Sequence, residues 1–191
     1  ILIICSHPDD IEIGMGGTLL KYKQQNKKIL QIIFSYGEKS HPHLKKEVIA
    51  KAREKEIKKI DKELKRETIF FGLKEGKFKE EIQEKNIKKK IKDLIKKHSP
   101  NKIYTLSSSD THPDHRAVNK IVIEFIDEIN YKDDVYAFEV WNIVNENKPV
   151  VYIDITETFK EKLNLIKQFK SQWLSVYLQS FPIIFRAKHY G

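Results

Sequence analysis

Short apolar runs alternate with longer segments of helical periodicity along the whole chain, and few folds accommodate that order. Residues 1–5, 28–36, 67–71 and 102–106 are brief stretches rich in isoleucine, leucine and other strand formers. The first is continuously apolar, as strands buried on both faces are. Helices are predicted over 18–26, 44–66, 82–97 and 113–129. In 44–66, Val48, Ile49, Ala52, Ile57, Ile60 and Leu64 recur at helical spacing. Pro100 lies just past the end of 82–97, and Pro113 suits a first helical turn, where its missing N–H costs nothing. Strands over 135–141 and 150–155 and a helix over 158–178 complete the order. The expected fold class is α/β, a doubly wound, mostly parallel sheet with right-handed crossovers and helices on both faces.

The 191 residues show no linker or shift in composition, so one domain is expected over 1–191. It opens at Ile1 inside a strand and is expected to be truncated at both ends. Gly14-Met15-Gly16-Gly17 lacks the spacing of a dinucleotide-binding fingerprint and reads as a tight turn with close helix packing. The net charge of +9 comes mostly from lysines interleaved with glutamates, as in Arg53-Glu54-Lys55-Glu56, the pattern of solvated helix faces. With no nucleic-acid-binding signature beside it, no nucleic-acid partner is expected. The apolar runs are too short to span a bilayer. A single cysteine, Cys5, excludes an internal disulfide and points to a reducing, cytoplasmic setting. Only Arg53, Arg66, Arg116 and Arg186 are arginines, so each is a stronger candidate for a specific contact than any one lysine.

Chemistry concentrates in two short clusters. His7-Pro8-Asp9-Asp10 follows the first strand, and His112-Pro113-Asp114-His115 follows the fourth. Both fall where strands end and helices begin, the edge at which open α/β sheets bind ligands. Imidazole nitrogen and carboxylate oxygen suit zinc or iron(II), and the lack of clustered cysteines argues against a structural zinc. Two adjacent aspartates cannot easily point the same way, so one can bind metal while the other takes a proton from an attacking water. His112 and His115 can face a common site. One can bind metal while the other, held by Asp114, meets substrate as an imidazolium, stabilises an oxyanion and protonates the departing amine.

The stretch His7-Pro8-Asp9-Asp10-Ile11-Glu12-Ile13-Gly14-Met15-Gly16-Gly17-Thr18-Leu19 resembles the first motif of the LmbE-like (PIG-L) family of zinc-dependent N-deacetylases. Asp110-Thr111-His112-Pro113-Asp114-His115-Arg116-Ala117 is similar to its second, and Arg53-Glu54 and Phe71-Gly72-Leu73-Lys74-Glu75-Gly76 also match family elements. The resemblance implies a Rossmann-like domain that hydrolyses a linear amide, removing acetyl from an N-acetylated amino sugar or glycoconjugate. It implies one divalent metal, zinc first and iron(II) second, held by His7, Asp10 and His115. Asp9 becomes the general base, and His112 supports the tetrahedral intermediate with Asp114 orienting it. Arg53 and Asp110 fall on the substrate side. The expected partner is a small-molecule amino sugar; a homo-oligomer is left open. Rival activities are hydrolysis of another amide or an ester, or phosphosugar binding at a degenerate site, which the intact Asp9 and His112 disfavour.

Two positions depart from the family pattern. Ile11 stands where many members have glutamate, and Phe169, in Phe169-Lys170-Ser171-Gln172, where they usually have histidine, a change expected to bear on the substrate pocket. His41 and His43 are expected as exposed loop histidines near the site, His98 as a helix-end residue, and Cys5 as a buried strand residue. Trp141 and Trp173 are candidates for stacking on a sugar, against the commoner role of aromatic core.

Overall fold

The computed structural model describes residues 1–41, 43–141 and 149–190. Five strands, β1 (Leu2–Cys5), β2 (Ile29–Ile33), β3 (Arg66–Phe70), β4 (Lys102–Leu106) and β5 (Asp134–Phe138), form one sheet in the order β3-β2-β1-β4-β5. Every pair in it is parallel. Consecutive strands step outward from β1 to β3, then the chain returns to the other side of β1 for β4 and β5. With right-handed crossovers, that reversal places helices on both faces and opens a crevice beyond the carboxyl ends of β1 and β4.

The helices are α1 (Asp10–Gln24), α2 (Lys46–Leu64), α3 (Phe78–Glu84), α4 (Ile87–His98), α5 (Pro113–Glu128), α6 (Phe159–Ile166) and α7 (Trp173–Tyr190). β1 and β2 are buried at every residue, as the central strands of a parallel sheet must be. α1 packs against α6, while α5 packs on β1, β4 and α3. Beneath α1, Arg66 of β3 donates to Glu12 Oε1 at 2.8 Å and to Asp61 Oδ1 at 2.7 Å. Such a buried charge set fixes how α1 sits on the sheet more than it adds net stability.

Four expectations change. The first helix starts at Asp10, eight residues before the predicted start, so the glycines lie inside it, around a kink at Met15 (φ −132°, ψ 22°). They are packing contacts: a Cβ on Gly14 would come 2.5 Å from Phe138 Cδ2, and one on Gly17 2.7 Å from Ile155 Cβ. The helix predicted over 82–97 is two helices, broken at Asn86, whose φ of 52° ends the first. That over 158–178 is interrupted by a short 3-10 turn at Lys170–Gln172. Finally, residues 149–155 form no strand. They pass α1, where Ile155 meets Gly17 and Asp154 O accepts from Lys21 Nζ at 2.8 Å, while Val150, Val151, Tyr152 and Ile153 stay exposed.

Candidate active site

Both histidine and aspartate clusters arrive at the crevice between β1 and β4. After β1 the chain turns through Ser6-His7-Pro8, and the Asp10 carboxylate secures that turn. Its Oδ2 accepts from Ser6 N at 3.1 Å and His7 N at 2.8 Å. Asp9 caps α1 with φ 94°, a conformation that is strained for a residue with a Cβ. The consequence is a division between neighbours. Asp10 Oδ1 points at His115 Nε2, 3.1 Å away, while Asp9 Oδ1 accepts from Arg53 Nη2 at 2.7 Å.

Arg53 comes from the lysine-rich face of α2, yet it is 3% exposed. It donates to Gly37 O at 3.2 Å and to Pro8 O as well, so it ties the loops after β1 and β2 together. Gly37 (φ +65°) leaves it room, because a Cβ there would fall 1.9 Å from Arg53 Nη1. A solvated charge is excluded at this position.

After β4, His112 caps α5, its Nδ1 accepting from Asp114 N at 3.2 Å. His115, one turn into the helix, is fully buried. Its Nδ1 lies 3.1 Å from Asp110 Oδ2. Asp110 also accepts from His112 N at 2.9 Å and Trp141 N at 3.2 Å, and it is 1% exposed. The structure thus places Asp110 behind His115, away from the surface where a substrate contact was expected. Asp114 is likewise repositioned. Its carboxylate does not reach the His112 ring as expected; it lies 3.2 Å from His7 Nε2 and accepts from Gly76 N at 3.1 Å.

The electrostatics follow from this crowding. Burial alone would lower His7, but Asp10 and Asp114 outweigh it and raise it to about 9. For His115 the burial penalty is overcome by Asp10 and Asp110, giving about 10. Asp10 is held well below the carboxylate range, since His115 and His7 overcome its desolvation. Asp9 is pushed up to about 7, chiefly by burial, with Arg53 opposing and the Asp10 charge adding. His112 falls to about 4 through burial and the neighbouring charges of His7 and His115, which favours its neutral form.

A cation would fit this donor set. Both His115 nitrogens lie 3.1 Å from carboxylates without completing a hydrogen bond, and a metal on Nε2 would relieve that side of the buried ring and leave Nδ1 to Asp110. His7, His112 and His115 bring ring nitrogens within 4.8 Å of one another, and so do donor atoms of His7, Glu75 and Asp114. Asp10 spans the first group, with Oδ2 3.8 Å from His7 Nδ1. Nitrogen and carboxylate donors without sulfur suit zinc or iron(II).

Beside the donors lies a cavity of about 270 Å³ lined by His7, Asp9, Arg53, Glu75, His112 and Trp141, among others. A larger one, about 350 Å³, sits at the opposite ends of the strands near Ile1 and Pro100. Neither donor cluster lies there, so chemistry and not size chooses between them. Glu75 carried no role in the sequence, but its Oε1 stands 3.5 Å from His7 Nε2. The only signal for it was its place in the segment Phe71 to Gly76. His43 is exposed, His41 half-buried, and neither lines the cavity. Phe169 is buried in the core, not set in the pocket, and Cys5 is buried as expected. Trp141 stands at the cavity, Trp173 on the surface.

Residues 2–126 match the sequence model of the PIG-L family, described as GlcNAc-PI de-N-acetylase. A probable N-acetyl-alpha-D-glucosaminyl L-malate deacetylase 2 of Bacillus anthracis is 25% identical over 190 residues, covering 91% of this chain and 81% of that protein. Among solved structures, N,N'-diacetylchitobiose deacetylase of Pyrococcus horikoshii superposes with a TM-score of 0.78 at 21% identity, over 100% of this chain and 77% of that one. GalB, the 4-carboxy-2-hydroxymuconate hydratase of Pseudomonas putida, superposes with a TM-score of 0.76 at 18% identity, over 94% and 82%. Deacetylases and a hydratase thus share this architecture, and only the site can choose between chemistries.

Proposed function

The chain belongs to the PIG-L family, and from that premise we propose that it is a metal-dependent N-deacetylase releasing acetate from an N-acetylated amino sugar or its conjugate. One observation carries the reading: two adjacent carboxylates take opposite directions, Asp10 toward His115 and Asp9 toward Arg53 at the cavity wall.

In this reading His7, Asp10 and His115 hold one divalent cation, zinc by its preference for such donors or iron(II). The cation would supply Lewis-acid activation of a water and of the acetamide carbonyl. Asp9, poised near neutrality, takes the proton from the attacking water and returns it to the amine as the C–N bond breaks. His112 acts as a neutral donor. Its Nδ1 accepts from Asp114 N, so the ring carries its proton on Nε2, free to point at the developing oxyanion. Asp110 orients His115, and Asp114 with Gly76 steadies His7, the supporting role that carboxylates play behind ligating histidines. The test is a screen for free amine and acetate across N-acetylhexosamine conjugates. Equimolar release supports the reading; cleavage confined to esters or other amides assigns the site to a different hydrolase.

Arg53 acquires a different task from the one expected of it. Because it lowers the pKa of Asp9, its removal raises that pKa, and the base is active only when deprotonated. Arg53→Gln should therefore shift the acidic limb of kcat/KM to higher pH, with activity recovering on the alkaline side. If Arg53 instead held substrate, KM would rise at every pH and the limb would stay in place.

A further inference from the structure

Helix α7 turns its larger apolar face away from the protein. Val176, Gln179 and Ile183 are buried beneath it, whereas Trp173, Leu174, Tyr177, Leu178, Phe181 and Phe185 are each between 55% and 75% exposed. Trp173, Tyr177, Phe181 and Phe185 recur every fourth residue, an oblique row about 18 Å long that winds around one side of the helix. The Phe181 and Phe185 rings stack at 6.5 Å, and Phe185 stacks on His189 at 5.7 Å. The four aromatics alone expose on the order of 500 Å² of apolar surface, near the upper limit of what a monomer leaves bare. Deacetylation does not explain them, since Ser175 is the one residue of α7 that lines the cavity.

Charge identifies the occupant. α7 contains no aspartate or glutamate. Exposed Lys170 lies just before it, and exposed Lys188 lies one turn beyond Phe185. In an antiparallel pair of two copies, Lys170 of each would meet Lys188 of the other with no carboxylate on either helix to offset them, a like-charge juxtaposition that disfavours self-association. An anionic lipid surface complements the same arrangement: aromatic side chains settle at the headgroup boundary, and flanking lysines reach the phosphates. A net charge of +9 acts in the same direction. No described helix is long and apolar enough to cross a membrane, so this one would lie in the interface.

We propose that α7 is an interfacial helix that docks the protein on anionic bilayers through the row Trp173, Tyr177, Phe181 and Phe185. The proposal does not depend on the catalytic reading.

Flotation with vesicles of equal parts phosphatidylglycerol and phosphatidylcholine tests it. The protein should float with them and bind phosphatidylcholine alone at least about tenfold more weakly, as two flanking lysines imply. Trp173 emission should shift to shorter wavelength on binding. Phe181→Ser with Phe185→Ser should weaken binding by about tenfold or more, and Lys170→Glu with Lys188→Glu should remove the preference for the anionic lipid. Thermal unfolding and circular dichroism matching wild type would show that both variants fold. Absence of vesicle binding overturns the proposal, as does equal binding to the two vesicle types. Light scattering that shows a dimer dissociated by Phe181→Ser with Phe185→Ser also overturns it, since the row would then be a contact between copies.

Discussion

Asp9→Asn is expected to retain the metal and the KM of the wild type while losing roughly two to four orders of magnitude in kcat, the usual worth of a positioned general base. Asparagine keeps the shape of aspartate and an oxygen able to accept from Arg53 Nη2, so the contact that holds position 9 in place survives. What disappears is the ability to take a proton. Asp9 sits near 7 because burial disfavours its charge while Arg53 restores part of it, a balance that suits proton transfer close to neutral pH. The acidic limb of the pH profile should therefore flatten in Asp9→Asn. Stopped-flow or steady-state kinetics at saturating substrate read the effect directly. Turnover at the wild-type rate would remove Asp9 from the mechanism, whatever happens to the metal.

The second large effect separates ligands from their neighbours. Asp10→Ala and His115→Ala should each lower metal affinity by more than the roughly 10- to 100-fold that loss of a supporting partner costs. Asp10 carries a double load, since it also receives the Ser6 and His7 amides, and its removal should loosen the turn that presents His7. His112→Ala should keep the metal and lose about 10²–10³ in kcat, the range for one oxyanion donor. Asp110→Ala belongs in the intermediate class, weakening metal through His115. Elemental analysis of dialysed protein distinguishes these outcomes. Metal loss in His112→Ala equal to that in His115→Ala would make the three histidines the ligand set in place of His7, Asp10 and His115.

Residue type explains which parts of this arrangement could be seen in advance. β1 is apolar at every residue and β4 is buried from Ile103 to Leu106, so both stand out from the lysine-rich helices around them. Their order, together with the helical segments between, was enough for the doubly wound topology. The start of α1 was hidden because it opens on Asp9 and Asp10, residues that resemble loop chemistry until the amides Asp10 receives and the Arg53 contact of Asp9 are known. Arg53 was ambiguous for a related reason: its helix reads as a solvated face, and its partner Asp9 is far away in sequence. Asp110 and Asp114 stand within the second motif, yet spacing cannot tell which ring each carboxylate meets. Asp114 meets His7 across the crevice, a contact decided by the pairing of β1 with β4. The segment 150–155 had the composition of a strand, but Ile155 packs over Gly17 and Val150 to Ile153 remain exposed.

The most direct test of the account is amine release measured while metal is removed and restored. Protein stripped by a chelator should lose hydrolysis of an N-acetylated amino-sugar conjugate, and zinc or iron(II) added back should restore it in proportion to occupancy, saturating near one ion per chain as a three-ligand site implies. Hydrolysis that continues unchanged in fully stripped protein would contradict it.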